Sequence, residues 1–322
     1  MTTPLLSVGT AGMSVWFSRD LGETWDRPYS ESGLYLESRV WALATHPKLP
    51  GQLFAGTDFG VYRFDSGKNA WTHLPSAMDK LSVWSLAISP ANPRLMLAGT
   101  QPANIFRSED GGATWTALDL PFAKDCPFVH TPRVTQILFD PQEPGAVWAG
   151  VEIDGVWKSA DDGRTWSKCV SGLVSEDVHG LAVAANNSRT VLATTNKGLH
   201  ASDDRGAHWR YVKLDSPWQY TRAVTPAAGR PETLYLTNGN GPPGSTGRLL
   251  VSNDNGASWR DARLPGETNS TPWCIASNAA DPDLLFVATN LGQLYRSTDA
   301  GQSWRKMKRE FGEVRSIAWQ PV

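Results

Sequence analysis

An eight-residue segment, Ser159-Ala160-Asp161-Asp162-Gly163-Arg164-Thr165-Trp166, returns as near-copies at residues 18–25, 108–115, 202–209, 252–259 and 297–304. A worn copy at residues 64–71 keeps Asp65, Gly67 and Trp71 but not the spacing. A chain written this way must fold as a set of like units that bury their faces against one another. The tryptophans that close the copies stand at 25, 71, 115, 166, 209, 259 and 304, so the period is 43 to 51 residues. The 18 residues after Trp304 and the 25 that reach the first such tryptophan together make 43, one more period. The repeat therefore closes across the termini, which suits a ring and not an open solenoid.

Each position of the pattern has a local reason. Asp and Ser side chains bond nearby backbone donors and hold a tight turn. Gly supplies a backbone conformation that a Cβ makes costly, and Trp brings a large apolar surface that can wedge between units. Strand-like runs precede the copies, as in Gly60-Val61-Tyr62-Arg63 and Gly155-Val156-Trp157-Lys158. The segment thus reads as a hairpin turn between two short strands. A second element recurs at residues 40–44, 83–87, 134–138, 178–182, 221–225, 272–276 and 314–318, often with a Pro soon after (Pro47, Pro90, Pro141). Next comes an apolar strand ending in Ala55-Gly56-Thr57, Ala98-Gly99-Thr100 or a relative. The first turn lacks its opening strand and residues 314–318 lack a turn, so the two fragments complete each other. The chain is read as one all-β domain over residues 1–322: a seven-bladed β-propeller of four-stranded antiparallel blades, closed by the C-terminal strand.

These segments resemble the Asp-box, or BNR, repeats of sialidases, sortilin-type receptors, xyloglucanase-type glycoside hydrolases and photosystem II assembly factors. The resemblance covers the whole chain and rests on six good copies. It implies that the turns are structural and lie on the rim opposite the functional face. One carboxylate per turn is too few for a calcium site of six to eight oxygens.

Composition narrows the function classes. With 30 Lys and Arg against 32 Asp and Glu the formal charge is −2 and the cations are scattered, which argues against nucleic acid. The three cysteines, Cys126, Cys169 and Cys274, have no metal spacing and cannot all pair, which favours reduced thiols. The N-terminal residues have no basic start and no apolar run of signal length, and no stretch suits a bilayer, so a soluble cytoplasmic protein without membrane contact is expected. No cofactor and no metal site is expected. The six histidines lack metal-ligand spacing, no phosphate-cradling loop occurs, and the Gly-rich run at residues 238–244 reads as a long hairpin tip. No G-x-S-x-G elbow occurs either.

In a propeller of the resembled kind, the starts of the innermost strands and the hairpins between second and third strands share the functional face. The residue after the first apolar one in the innermost strands is Trp41, Trp84, Thr135, His179, Arg222, Trp273 and Arg315, whereas two positions on it is always Leu, Ile or Val. That contrast reads as a packed layer below a differentiated ring. Arg39 and Arg133 precede these strands, His130 lies in an entering loop, and the hairpins bring Asp58, Gln101, Glu152, Asn196, Asn238 and Asn290.

The expected site is a funnel for a small anionic, partly apolar molecule, a ligand that arginine forks would grip. Its binding residues would be Arg222, Arg315, Arg39, Arg133, Trp41, Trp84, Trp273, His130, Asn196 and Asn290. Glu152 beside His179, with Asp58, would supply acid–base groups for a metal-independent hydrolysis, elimination or isomerisation. The competing reading pairs the Arg and carboxylate groups off around Trp plugs and makes the face a docking scaffold for a protein partner. A glycosidase comes last. Sialidases need an Arg triad and a Tyr nucleophile and start F/Y-R-I-P, and xyloglucanase-type enzymes use two propellers where this chain has one. Fold alone does not choose among these.

Overall fold

The turn-and-strand repeat becomes a four-stranded antiparallel sheet in a computed structural model, which describes residues 3–126 and 130–322. Blade two runs Val40–Ala44, Gln52–Thr57, Gly60–Asp65, Ala70–Leu74, and blade three runs Ser82–Ile88, Met96–Gln101, Ile105–Ser108, Thr116–Ala117. Blades four to seven open with Val134–Phe139, Val178–Ala184, Tyr220–Pro226 and Pro272–Asn278, and each continues with three more strands in sequence order. Blade one is completed from both ends of the chain. Pro4–Thr10 pairs with Val15–Ser18 on one side and with Val314–Pro321 on the other. Where its fourth strand would stand, Phe17 and Asp26 exchange two backbone hydrogen bonds of 2.8 Å. Among the described residues there is no α-helix, only a 3-10 turn at Ser30–Ser32. The fold is the expected one: all-β, seven antiparallel blades of a β-propeller, with the C-terminal strand paired to the N-terminal one.

The chain divides into two compact units, one of Met1–Ile137 with Lys308–Val322 and one of Leu138–Met307. In the first, residues of successive blades share a core: Phe17 stacks on Phe64 at 4.4 Å, with Leu5, Leu53 and Trp71 around them. Met78, Val83, Met96 and Phe106 fill the next layer. In the second unit, Trp148, Val178, Leu181 and Trp209 form one such layer, and Tyr235, Val287 and Tyr295 another. Fully burying side chains of this size stabilises by about 1.5–3 kcal/mol each. The glycine of the Ala-Gly-Thr ending is needed for this layering. A Cβ on Gly56 would lie 2.5 Å from the Val83 carbonyl, and one on Gly99 would lie 2.6 Å from Val134.

The eight-residue segment closes on itself. Ser159 Oγ donates to Asp161 Oδ1 at 2.7 Å and accepts the Gly163 N–H at 2.9 Å. Asp161 then takes the Thr165 N–H (2.8 Å) and hydroxyl (2.6 Å), and the Trp166 indole N–H donates to the Gly163 carbonyl at 3.0 Å. The residue before each glycine also adopts a left-handed backbone, with φ between 57° and 61° at Leu21, Asp162, Arg205, Asn255 and Ala300. With the carboxylate saturated inside its own turn, the segment is a structural clasp.

Candidate functional site

The opposite ends of the blades, where first strands begin and second-to-third-strand hairpins turn, carry the variable residues. In the first unit, Trp41 and Trp84 stack on each other with centroids 4.1 Å apart and planes 19° from parallel. The Arg133 guanidinium lies 4.0 Å over Trp84, and that of Arg315 lies 5.4 Å from Trp41 and 5.9 Å from Trp84. Arg315 also pairs with Glu313. Each desolvated cation–ring contact of this kind is worth about 0.5–2 kcal/mol. The sequence-predicted Trp41, Trp84, Arg133 and Arg315 are thus brought together, with the ring faces turned to one another and to the guanidinium groups. Their indole Nε1 atoms are buried and have no hydrogen-bond partner among the described residues.

Asp58 stands at the hairpin tip of blade two. Its Oδ1 accepts the Arg39 backbone N–H at 3.2 Å, while its own N–H donates to the Arg39 carbonyl at 3.3 Å. This fixes the carboxylate against the start of the first strand and leaves it half-exposed. The Arg39 side chain is exposed. His130 is exposed as well and forms a reciprocal backbone bridge with Cys126. Gln101 donates from Nε2 to the Thr131 carbonyl at 2.8 Å.

In the second unit the site residues form polar contacts. His179 Nδ1 lies 2.9 Å from the Thr221 carbonyl, so that nitrogen carries the proton, and Nε2 lies 3.5 Å from Asp177 Oδ2. Asp177, two residues away on its own strand entry, thus sets a carboxylate against this imidazole. Glu152 and Asp154 are buried in the neighbouring hairpin, and Lys168 bridges Asp154 and Glu176 at 2.7 Å to each. Burial pushes the Lys168 ammonium down, but these two carboxylates outweigh it and raise it above its usual range. The Arg222 guanidinium covers Trp273 at 4.1 Å, and both side chains are buried. Asn196 is exposed and accepts the Ser175 hydroxyl at 2.7 Å. Asn290 is buried and donates its backbone N–H to the Thr271 carbonyl at 3.0 Å. Among the described residues no group of His, Cys, Asp and Glu could hold a metal ion, and no helix is long and apolar enough to cross a membrane.

Sequence reasoning missed Tyr35 and Phe59, which are 64% and 50% exposed, the second directly after Asp58, and it missed Asp79, which pairs with His73 at 3.1 Å. They lie in connections and an outer strand, outside the innermost-strand position that was compared from blade to blade.

The class that fold and site define is a β-propeller with its variable chemistry gathered at one end of each blade. No family model matches the chain. It is 25% identical over 328 aligned residues to a probable oligoxyloglucan-reducing end-specific xyloglucanase of Neosartorya fischeri, covering 84% of this chain and 40% of that protein. It is 30% identical over 121 residues to the photosystem II assembly lipoprotein Ycf48 of a Synechococcus, covering 36% of this chain and 33% of that one. Among solved structures, the GH74 xyloglucanase of Xanthomonas campestris superposes with a TM-score of 0.65 at 22% identity, over 83% of this chain and 45% of that one, which supports the fold. The chain spans about two fifths of the length of the xyloglucanase relative.

These relatives correct the order of functions expected from sequence. Xyloglucanases lead the similar proteins, so the small-anion pocket and the docking scaffold both give way to the glycoside hydrolase placed last. The missing sialidase signature bears only on a charged sugar, and a neutral glucan has no need of an Arg triad; the other ground, one propeller where xyloglucanase-type enzymes use two, stands beside the chain's coverage of 40% of the Neosartorya fischeri relative. Three of the four arginines expected to grip an anion are also engaged: Arg133 and Arg222 lie over tryptophan faces, and Arg315 pairs with Glu313, while the Arg39 side chain is exposed.

Proposed function

We propose that the chain is a glycoside-hydrolase-type propeller that binds a glucan chain of the xyloglucan class at its strand-entry ends. In this reading Asp58 supplies a carboxylate to cleavage of that chain. The similarity to xyloglucanases across 79–84% of the chain carries it. The recurrent turns agree with it, since they resemble Asp-box repeats and leave the opposite blade ends for substrate.

Glycosidic hydrolysis uses paired carboxyl groups as acid and base or nucleophile. Asp58 suits one of these roles. Its Oδ1 is pinned by the Arg39 N–H, so the group is oriented before substrate arrives, and its partial exposure keeps it reachable. The test is to run the protein on a native gel cast with xyloglucan and, separately, to follow new reducing ends in a xyloglucan digest. Retardation in the gel and release of reducing ends are expected. Asp58→Asn should keep the retardation and lose about 100-fold or more of the rate, the usual scale for removing an acid–base group. A wild-type protein that is neither retarded nor productive overturns the reading.

A further inference from the structure

Blade two carries a second feature at the same end. Asp79, from the connection to blade three, packs against the hairpin tip: a Cβ on Gly60 would meet Asp79 Oδ1 at 2.6 Å and its Cα at 3.3 Å. Gly60 is two residues from Asp58, so two carboxylates flank one tip. His73 Nε2 donates to Asp79 Oδ1 at 3.1 Å, and the Ser76 N–H donates to the same oxygen at 3.1 Å. Both bonds fall on Oδ1, so Oδ2 remains available on a side chain that is 35% exposed. The His73 ring is fixed a second time by Tyr62, 4.7 Å away and tilted by 31°. In the neutral ring with Nε2 donating, Nδ1 is an acceptor. Burial raises the Tyr62 hydroxyl above its ordinary range, and the charges of Asp79, Tyr35 and Asp58 add to the rise.

Phe59, between Asp58 and Gly60 on this tip, is exposed, and so is Tyr35, in the connection that enters the blade four residues before Arg39, whose backbone N–H pairs with Asp58. They differ from Trp41 and Trp84, whose faces cover each other. An open aromatic face suits the C–H face of a pyranose, and the carboxylate oxygens and imidazole Nδ1 suit its hydroxyl groups. The two carboxylates disfavour an anion. Two exposed rings fall far short of the roughly 800 Å² that each partner of a standard protein interface buries.

We propose that the rim of blade two is a binding subsite for a neutral pyranose residue, with Tyr35 and Phe59 as stacking faces and His73 and Asp79 as hydroxyl partners. The subsite rests on the glucan-binding reading given above. It assigns the substrate contact to one blade of the first unit.

The experiment compares wild type, Tyr35→Ala, Phe59→Ala and Asp79→Asn by mobility in gels of graded xyloglucan content, alongside thermal melts. Because Tyr35 and Phe59 are exposed, their alanine variants should melt with the wild type while their affinity for xyloglucan falls about tenfold. Asp79→Asn should weaken binding several-fold. Wild-type mobility in both alanine variants overturns the subsite and leaves the glucan-binding reading standing. A wild-type protein that no xyloglucan gel retards overturns both.

Discussion

The two ends of each blade use the same hydrogen-bonding device to different purpose. At the turn end, the serine hydroxyl catches the glycine N–H, and the aspartate takes both groups of the next Thr or Ser, as in Ser108, Asp110 and Thr114 or Ser252, Asp254 and Ser258. At the hairpin end, a threonine does a smaller version of this. Thr57 Oγ1 donates to the Gly60 carbonyl and accepts the Phe59 N–H, both at 3.0 Å, and Thr195 does the same with Gly198 and Lys197 at 2.9 and 3.1 Å. The first network engages most of its eight residues, so six of the seven copies stay close to one pattern and only residues 64–71 depart from its spacing. The second needs only the threonine and the glycine, and the residue between them is released to be Asp58, Asn196 or, after Thr289, Asn290. In a repeat protein, then, sameness marks what closes the fold, and variation at an equivalent position marks where chemistry can collect.

The largest effect expected from this comparison comes from removing residues 314–322. That strand pairs with every residue from Pro4 to Thr10, so its loss opens an edge along the N-terminal strand and uncovers the side chains beside it. A truncated chain should show no cooperative melt by circular dichroism. A transition within a few degrees of wild type would mean that the terminal pairing adds little.

Next is Trp209→Ala. Trp209 is 4% exposed and its indole N–H donates to the Cys169 carbonyl at 3.0 Å. Truncating so large a buried side chain should cost about 3–5 kcal/mol in urea unfolding. The affinity of the surviving folded protein for xyloglucan should stay unchanged. Asp58→Asn should behave in the opposite way, with a wild-type melt and lost turnover. If Trp209→Ala instead folded normally and bound glucan poorly, the turn end would have a functional part and the division of labour would be wrong.

How much of this was legible follows from the same physics. Strand starts at Val40, Val134, Val178, Pro272 and Val314 could be placed from the repeat because a packed layer forces one apolar residue at one position. The left-handed backbone at Leu21, Arg205 and Ala300 could not, since nothing in those side chains announces it. At the site, the position of Trp41, Trp84, His179 and Arg222 was legible from their differing where neighbours agree. Their partners were not. Whether an indole faces solvent or a second indole depends on distances between blades, which no spacing in the chain encodes. Tyr35, Phe59 and Asp79 escaped altogether, because exposure in a connection leaves no periodic trace.

The smallest expected effect separates the two ends by pH. His200 belongs to the hairpin end: its Nε2 accepts the Val174 N–H at 3.1 Å, in the connection that enters blade five, and the side chain is fully buried. Burial pushes the imidazole down to about 4, with the Gly198 backbone partly opposing, against an ordinary value of 6.5. The unfolded chain therefore binds this proton first, and stability present above pH 6.5 declines as the pH falls toward 4, by roughly 3 kcal/mol at most. At the turn end the order of pH is lower. The Thr114 hydroxyl and N–H hold Asp110 at about 2 against an ordinary 3.8, so its contribution is present above pH 4 and is lost as the pH falls toward 2. Melting temperatures recorded from pH 7 to pH 2.5 should accordingly fall in two windows. His200→Gln, which cannot titrate, should flatten the upper window and leave the lower one in place. A wild-type melt that is level between pH 6.5 and pH 4, or a His200→Gln profile that still declines there, would show that the acid sensitivity of this end lies elsewhere than in the buried imidazole.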